Sequence, residues 1–214
     1  KAAGALKASL LDDTVLLALQ NGVQIKELIQ GAVGDRVEVV RGLTFMGAEF
    51  LKPGTIKYWE GVTVIERTEA GEAVCALFRE SGLGVRISTD IRREEWRKLA
   101  ANCVINPLTA ILQVRDNELL SPSLKETRHG IIEECSLVAE AEGVSLGHGL
   151  AAETDRKIKG YSNFSSMYQD LAKGKKTEIG FLNGKIVELG RKHGIRTPLN
   201  EALAGLIGFM EAKK

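Results

Sequence analysis

The spacing of apolar residues divides this chain into two parts with different patterns. Up to about residue 90, short apolar runs of strand length alternate with segments in which apolar residues recur at helical spacing. From Glu94 onward, the helical spacing continues to the end of the chain. We therefore predict an α/β domain at 1–90, followed by an all-α domain at 91–214.

The first part predicts three helices and several short strands with turn residues between them. Pro53-Gly54 marks a turn between two strands, and Gly82 suits the left-handed residue that often follows a helix. The strands between residues 37 and 65 are expected to pair antiparallel or as a hairpin. The helices are predicted at 2–11, 24–33 and 69–81, and the strands at 14–19, 37–40, 43–50, 55–59, 62–65 and 85–88.

The second part predicts helices throughout, with glycines at or near several of their ends. Pro198 suits the first position of the last helix. The helices are predicted at 94–112, 123–142, 149–158, 165–172, 177–193 and 198–212.

The apolar run Thr14–Leu19 is typical of a buried strand in a parallel sheet. It is followed at once by Gln20, Asn21 and Gly22, and open α/β sheets place ligand-binding loops at the ends of such strands. Asn21 is therefore a candidate ligand contact. Because Asn-Gly also favours turns, a plain turn is the alternative.

Lys98, Asn102 and Asn106 form the most informative pattern, because they repeat every four residues in a segment that is otherwise largely apolar. Each step of four residues advances about 40° beyond a full helical turn, so the three side chains share one stripe. A cation and two carboxamides on one stripe can bind a small anionic molecule that is rich in oxygen. A stripe that faces solvent is the alternative, and the spacing alone favours neither.

Two further features favour binding over a solvated stripe. Asn is a weak helix former in mid-helix, yet it occurs here twice. Pro107 disfavours helical geometry at Asn106, and it leaves a backbone carbonyl one turn earlier without its usual donor. We therefore expect locally irregular backbone beside the polar stripe.

A second group of polar residues follows later in the chain. Ser166 and Asp170 are one helical turn apart, and Thr177-Glu178 stands at the start of the next predicted helix. Helix capping by Ser165 or Ser166, and by Thr177, is the favoured local explanation. A residue at the start of a helix is also well placed to meet an anion, so capping and binding are compatible.

Composition narrows the functional classes. The chain has 214 residues, 44% apolar content, 27% charged content and a net charge of +1, so nothing suggests nucleic acid as a partner. No apolar run is long enough to span a membrane, and no secretory signal is visible. The cysteines and histidines lack metal-ligand spacing, so we predict no metal site, reduced thiols and a cytoplasmic location. They are Cys75, Cys103, Cys135, His129, His148 and His193, with the histidines assigned to surface or loop positions.

Taken in order, these motifs resemble the ketopantoate reductase family over essentially the whole chain. The resemblance implies a partial Rossmann-type nucleotide-binding domain followed by a helical C-terminal domain similar to that of 6-phosphogluconate dehydrogenase. The residues that carry it are Leu19–Gly22, Gly47-Ala48, Pro53-Gly54, Trp96–Leu99, Asn102, Asn106–Ala110, Ser165–Met167, Asp170, Thr177-Glu178 and Asn183-Gly184.

The resemblance also implies an activity, which is NADPH-dependent reduction of ketopantoate to pantoate in pantothenate and coenzyme A biosynthesis. Lys98 matches the family's general acid, and Glu178 matches a catalytic carboxylate that hydrogen-bonds the reacting hydroxyl and oxo region. Asp170 is similar to a residue that supports Ser166. The substrate-binding positions are Asn102, Asn106 and Ser166, and the cofactor-binding positions are Asn21 and Glu178.

The chain departs from the family pattern in three places. The family's Gly-x-Gly-x-x-Gly unit is absent, and no initiator Met precedes Lys1, so we expect the interior of a longer chain that binds cofactor weakly by itself. Tyr58 and Glu66 stand where histidine and glycine are common in the family. We assign both to the β-rich insert, away from the chemistry.

Two other interpretations stay open at this point. One is a related reductase that uses the same scaffold for a different 2-oxo acid. The other is a non-catalytic helical assembly module, in which the helices at 123–142 and 177–193 pack against a second copy to form a homodimer.

Overall fold

A computed structural model describes residues 2–213 of the chain, which divides into two compact units, Lys1–Glu94 and Glu95–Lys214. The first unit contains strands and helices, whereas the described residues of the second form helices and connecting turns. The predicted fold class, an α/β part followed by an all-α part, is therefore confirmed. The assignment of cofactor and substrate roles to the two parts stays a prediction.

The first unit is built on a mixed β-sheet and a separate hairpin. Its strands are β1 (Val15–Ala18), β2 (Glu38–Thr44), β3 (Gly47–Lys52), β4 (Thr55–Trp59), β5 (Thr63–Ile65) and β6 (Val85–Ile87). The sheet has the order β1-β2-β5-β6, in which β2 and β5 are antiparallel and the other two pairs are parallel. The antiparallel pair β3 and β4 forms the hairpin.

Helices pack on both faces of this sheet. They are α1 (Ala2–Leu6), α2 (Ile25–Val33) and α3 (Glu69–Glu80). Val39 belongs to the core on the side of α2, and Val40 belongs to the core on the side of α3. Neighbouring strand residues point to opposite faces, so β2 contributes side chains to the core on both sides of the sheet.

Several predicted boundaries in the first unit are wrong. The first helix ends at Leu6 and is followed by a 3-10 turn at Lys7–Ser9. The predicted strand 43–50 is two strands, because β2 ends at Thr44 and β3 begins at Gly47. β1 is the edge strand of the described sheet, so Val15 is exposed instead of buried as predicted.

The second unit consists of helices that pack around a shared core. Its helices are α4 (Ile91–Leu112), α5 (Lys125–Ala141), α6 (Leu150–Lys159), α7 (Ser166–Ala172), α8 (Asn183–Lys192) and α9 (Pro198–Ala212), of which α4 begins before the boundary. The predicted helix 177–193 is wrong over residues 177–182, because a 3-10 turn at Ile179–Phe181 precedes α8. A 3-10 turn at Pro122–Leu124 likewise precedes α5.

Two predicted helix ends are confirmed. Pro198 is the first residue of α9, where its missing N–H costs no helical hydrogen bond. Gly82 has a φ of 73° just beyond α3, which is the left-handed conformation that glycine adopts most readily.

The remaining composition-based predictions concern membranes, thiols and histidines. None of the described helices combines the length and apolarity that crossing a membrane requires. The three cysteines are free and buried. His148 and His193 are exposed as predicted, and His129 is partly exposed on α5, with its Nε2 2.9 Å from the Asp155 carboxylate.

Candidate active site

Lys98, Asn102 and Asn106 lie along one stripe of α4, as their spacing predicts. Lys98 and Asn102 are half-buried, whereas Asn106 is only 6% exposed. The stripe therefore runs from the surface into the interior of the second unit. A fully solvated polar face, which was the alternative, does not fit this burial.

The helix α4 continues through Pro107, so the predicted irregular backbone is wrong. Proline has no N–H and cannot donate to the carbonyl of Cys103 one turn earlier. Asn183 supplies a donor from α8, with its Nδ2 3.0 Å from the Cys103 carbonyl oxygen. The backbone donor that the sequence predicts to be missing is thus replaced by a side chain from another helix.

Asn183 belongs to a buried network that begins at the carboxylate of Glu134 on α5. Glu134 accepts hydrogen bonds from the backbone N–H groups of Leu199 and Asn200, at 2.9 and 3.0 Å. It also accepts one from the Asn200 Nδ2 at 2.7 Å, and Asn200 Oδ1 accepts one from the Asn183 Nδ2 at 3.0 Å. The network connects α5, α8 and α9 with α4, and sequence reasoning missed Glu134 and Asn200 altogether.

Ser166 is the first residue of α7, and it is exposed. Capping is confirmed for the residue before it, since Ser165 Oγ accepts a hydrogen bond from a backbone N–H of α7. The Ser165 Oγ lies 2.7 Å from Thr109 Oγ1 on α4, which is itself 3.2 Å from the Asn106 carbonyl oxygen. The structure therefore brings the segments of Asn106 and Ser166 together. Asp170 is half-buried on α7, and its support of Ser166 stays a prediction.

A buried carboxylate, Asp116, fixes the segment that leads to Ser166. The Asp116 N–H donates to the Asn163 carbonyl at 3.1 Å, and its Oδ2 accepts from Asn163 Nδ2 at 2.9 Å. Burial raises the pKa of the Asp116 carboxyl to about 6, although the Asn163 amide acts in the opposite direction. Its Oδ1 has no hydrogen-bond partner among residues 2–213. Sequence reasoning missed Asp116, which lies outside every motif that it used.

Glu178 is half-buried and comes directly before the 3-10 turn, instead of standing in the first turn of an α-helix as predicted. The neighbouring Thr177 is fixed by Glu211 of α9, whose Oε1 accepts from the Thr177 N–H at 2.7 Å and from its hydroxyl at 2.6 Å. Thr177 Oγ1 also accepts from the Ile179 N–H at 3.2 Å, but the N-cap of the 3-10 turn is Glu178, so the predicted helix cap at Thr177 is wrong. The catalytic role of Glu178 stays a prediction.

Asn21 follows β1 in the first unit, at the carboxyl end of a strand that is parallel to β2. It is half-buried, and Gly22 after it has a φ of 109°, which favours glycine. The guanidinium of Arg41 holds this loop by donating to the carbonyls of Ala18 at 2.7 Å and Gly22 at 3.0 Å. Asn21 thus lies where the sheet position predicts a ligand loop, and its contact with a cofactor stays a prediction.

Glu66 requires a correction, because it lies after β5 of the four-stranded sheet and not in the hairpin that carries the exposed Tyr58. Glu66 is 8% exposed, and its Oε1 accepts from the Arg41 N–H at 2.8 Å and from Lys26 Nζ at 2.6 Å. It therefore fixes the strand from which Arg41 reaches the loop of Asn21. A charged residue directly after an apolar strand is the sequence feature that could have indicated this buried role of Glu66.

Comparisons with known proteins agree on one family. A family model described as "Ketopantoate reductase PanE/ApbA" matches residues 1–72, and one described as "Ketopantoate reductase PanE/ApbA C terminal" matches residues 90–211. A 2-dehydropantoate 2-reductase of Archaeoglobus fulgidus is 33% identical over 217 residues, which cover 97% of this chain and 72% of the relative.

Solved structures are similar over nearly the whole chain. A PanE/ApbA family ketopantoate reductase from Ralstonia eutropha JMP134 has a TM-score of 0.91 at 35% identity, covering 99% of this chain and 72% of that one. D-mandelate dehydrogenase, solved with NADH and anilino(oxo)acetate, has a TM-score of 0.89 at 27% identity, with coverage of 99% and 72%. The two structures represent the same fold with two different named substrates.

Proposed function

This chain belongs to the ketopantoate reductase family of oxidoreductases, and on that premise we propose that it reduces ketopantoate to pantoate with NADPH. Pantoate then serves the biosynthesis of pantothenate and coenzyme A. The observation that carries the proposal is the stripe of Lys98, Asn102 and Asn106 on α4. Its lysine and two carboxamides suit a small 2-oxo acid, because they offer a cation and several hydrogen bonds to its oxygens.

Lys98 is the proposed general acid. When bound, NADPH supplies a hydride to the carbonyl carbon of the substrate. The electron pair of the C=O π bond moves to the oxygen, and the Lys98 ammonium donates a proton there to form the hydroxyl. Before the transfer, the same cation stabilises the developing negative charge, a contribution of about 3 kcal/mol in comparable sites. Lys98 then regains its proton from solvent.

The other site residues hold the substrate for this step. Glu178 accepts a hydrogen bond from the new hydroxyl and orients Lys98. Asn102 and Asn106 donate amide hydrogen bonds to substrate oxygens, and Ser166 binds the carboxylate. The Ser166 role is supported by the bond between Ser165 and α4, which keeps this segment beside Asn106.

Asn21 and Glu178 are the proposed contacts to the nicotinamide end of the cofactor. Asn21 suits this role because it follows a parallel strand at its carboxyl end, which is where open α/β sheets bind dinucleotides. Gly22, whose positive φ favours glycine, has no Cβ, so a flat ring can approach the backbone of this loop closely.

A second candidate is a reductase for a different 2-oxo acid. The similarity to D-mandelate dehydrogenase favours this alternative, because mandelate is a 2-hydroxy acid with an aromatic side chain. The scaffold and the reacting groups would stay the same, and the pocket around the substrate side chain would differ. A non-catalytic helical assembly module is the third reading, and it requires no turnover.

The test is a comparison of kcat/KM for four combinations of substrate and cofactor, using the protein with any segment that its gene encodes before Lys1. The substrates are ketopantoate and phenylglyoxylate, and the cofactors are NADPH and NADH. We expect ketopantoate with NADPH to be preferred by at least about tenfold over each other combination, equivalent to about 1.4 kcal/mol. Preference for phenylglyoxylate would support the second candidate, and no turnover of any pair would support the third.

A further inference from the structure

The starting point is a break in the hydrogen bonding of α4, the helix that carries the polar stripe. A residue other than proline at position 107 would donate its N–H to the carbonyl of Cys103. That carbonyl lies next to Asn102 and between Lys98 and Asn106 along the helix. The position and tilt of the stripe therefore depend on whatever replaces the missing donor.

The replacement is the Asn183 side chain, which is completely buried. Its Nδ2 lies 3.0 Å from the Cys103 carbonyl oxygen and 3.0 Å from Asn200 Oδ1, so both amide protons are used. Asn183 is also five residues beyond Glu178 in the same segment. Its bond to Cys103 therefore ties the segment of Glu178 to the helix of Lys98.

The orientation of the Asn183 amide is fixed from the far end of the network. Both Glu134 carboxylate oxygens accept from N–H groups, so the Asn200 side chain turns its Nδ2 toward Glu134 and its Oδ1 toward Asn183. Asn183 must then turn its Nδ2 toward both oxygens. A flipped amide would place two acceptors against each other, so the network holds Asn183 as a donor to α4.

We propose that Asn183 is a positioning residue for the reductase reaction, which sets the alignment of Lys98, Asn102 and Asn106 by completing the hydrogen bonding of α4 at Pro107. The inference rests on the proposed function, since alignment matters for a transferred proton and a bound substrate. Misplacement of catalytic groups by about 1 Å can lower turnover about 100-fold. Asn183 itself touches neither substrate nor cofactor in this scheme.

The test is a double-mutant cycle of Asn183→Leu and Pro107→Ala in the complete protein. Leucine has a similar volume but no donor, and alanine restores the N–H that bonds the Cys103 carbonyl within the helix. We expect Asn183→Leu to lower kcat about 10- to 100-fold with a smaller change in KM. Pro107→Ala alone should stay within about threefold of the parent, and the double variant should recover at least about fivefold of the lost kcat.

A second readout is hydrogen exchange of the α4 backbone amides, which needs no substrate. Exchange should become faster in Asn183→Leu and return toward the parent rate in the double variant. Ile207→Val is the matched control, because it loosens the buried core on α9 without touching α4 hydrogen bonds, and it should leave kcat unchanged.

The outcomes separate this inference from the proposed function. A kcat of Asn183→Leu within about twofold of the parent, or losses that simply multiply in the double variant, would overturn the positioning role. Absence of turnover in the parent would overturn the proposed function instead. In that case the exchange pattern alone decides, and unchanged α4 exchange in Asn183→Leu would overturn the inference.

Discussion

Each of the two units holds its candidate site segment with one buried side chain that donates to backbone carbonyls. In the first unit, Arg41 donates to the carbonyls of Ala18, Gly42 and Gly22 around the loop of Asn21. In the second, Asn183 donates to the single carbonyl of Cys103. Backbone carbonyls near the candidate site are thus bonded by a charged guanidinium in the first unit and by a neutral amide in the second.

The difference follows from the backbone that each side chain holds. Arg41 reaches three carbonyls, of which one ends β1, one lies in β2 and one lies in the loop after β1. A guanidinium offers five N–H groups, so one side chain can bond to all three. In α4 the helix satisfies its own carbonyls except where Pro107 removes a donor, so one amide proton is enough. One guanidinium therefore bonds to three carbonyls in the first unit, and one amide proton bonds to a single carbonyl in the second.

Three buried carboxylates near these segments also differ in whether their hydrogen-bond donors are charged or neutral. Glu66 contacts the Lys26 ammonium and one backbone N–H, whereas Glu134 has only amide donors among its described partners. Asp116 has a single side-chain donor, Asn163, and one oxygen without a partner in the described part of the chain. We expect the sign and the size of a substitution's effect to depend on the charge of the side chain and on the partners that the fold gives it.

The largest effect on stability is expected for Arg41→Met. It removes a buried cation and the hydrogen bonds that it donates to three backbone carbonyls, and should lower the free energy of unfolding of the first unit by about 3–5 kcal/mol. The control is Arg36→Met, because Arg36 also donates to two backbone carbonyls but is exposed. It should cost less than about 1 kcal/mol in urea unfolding. If both variants lost the same free energy of unfolding, burial would not explain the effect of Arg41.

A smaller effect, with the opposite sign, is expected for Asp116→Asn. The pKa of this carboxyl is raised to about 6, so its proton stabilises the fold below pH 4 and that contribution is lost as the pH rises through 6. Asparagine removes the cost of burying the charge, and the free energy of unfolding should therefore rise by about 2–3 kcal/mol at pH 8 and stay unchanged near pH 4.

The pH dependence of Asp116→Asn is measured by urea unfolding at several pH values, with the exposed Glu126→Gln as control. The control should show no gain at either pH. A loss of stability at pH 8 in Asp116→Asn would mean that the ionised carboxylate is better satisfied than its two described oxygens indicate.

The smallest effect is expected for Glu134→Gln. Glutamine keeps one acceptor oxygen, so the variant loses only part of the bonding to Leu199 and Asn200, at a cost of about 1–2 kcal/mol in the second unit. Glu133→Gln is the matched control, because Glu133 is its exposed neighbour on α5. A cost above that of Arg41→Met would contradict the expected order of effects.

Local signals predict much of the fold. Strand β4 and helix α9 have the predicted limits, because Pro53-Gly54 and Pro198 mark their starts. The helix predicted at 177–193 was wrong because Ile179, Leu182 and Ile186 continue a helical spacing through a 3-10 turn. Apolar spacing reports which side chains are buried, and it does not distinguish a 3-10 turn from an α-helix.

In the candidate site, too, the local pattern can be predicted from the sequence and the distant contacts cannot. The stripe of Lys98, Asn102 and Asn106 is a local pattern, so its spacing is visible in the sequence. The partners that hold it are distant, since Asn183 is 80 residues from Cys103 and Glu134 is 66 residues from Asn200. Pro107 predicts that a carbonyl needs a donor, but only the tertiary structure identifies Asn183 as that donor.

The most direct test of the account is the kcat for ketopantoate reduction by Lys98→Ala, with Lys125→Ala as an exposed control on α5. A general acid contributes about 100- to 10,000-fold, so we expect Lys98→Ala to lose at least about 1,000-fold in kcat, since its cation also stabilises the alkoxide. The control should remain near the parent rate. A folded Lys98→Ala variant that keeps kcat within about tenfold of the parent would contradict the assignment of Lys98 as the general acid.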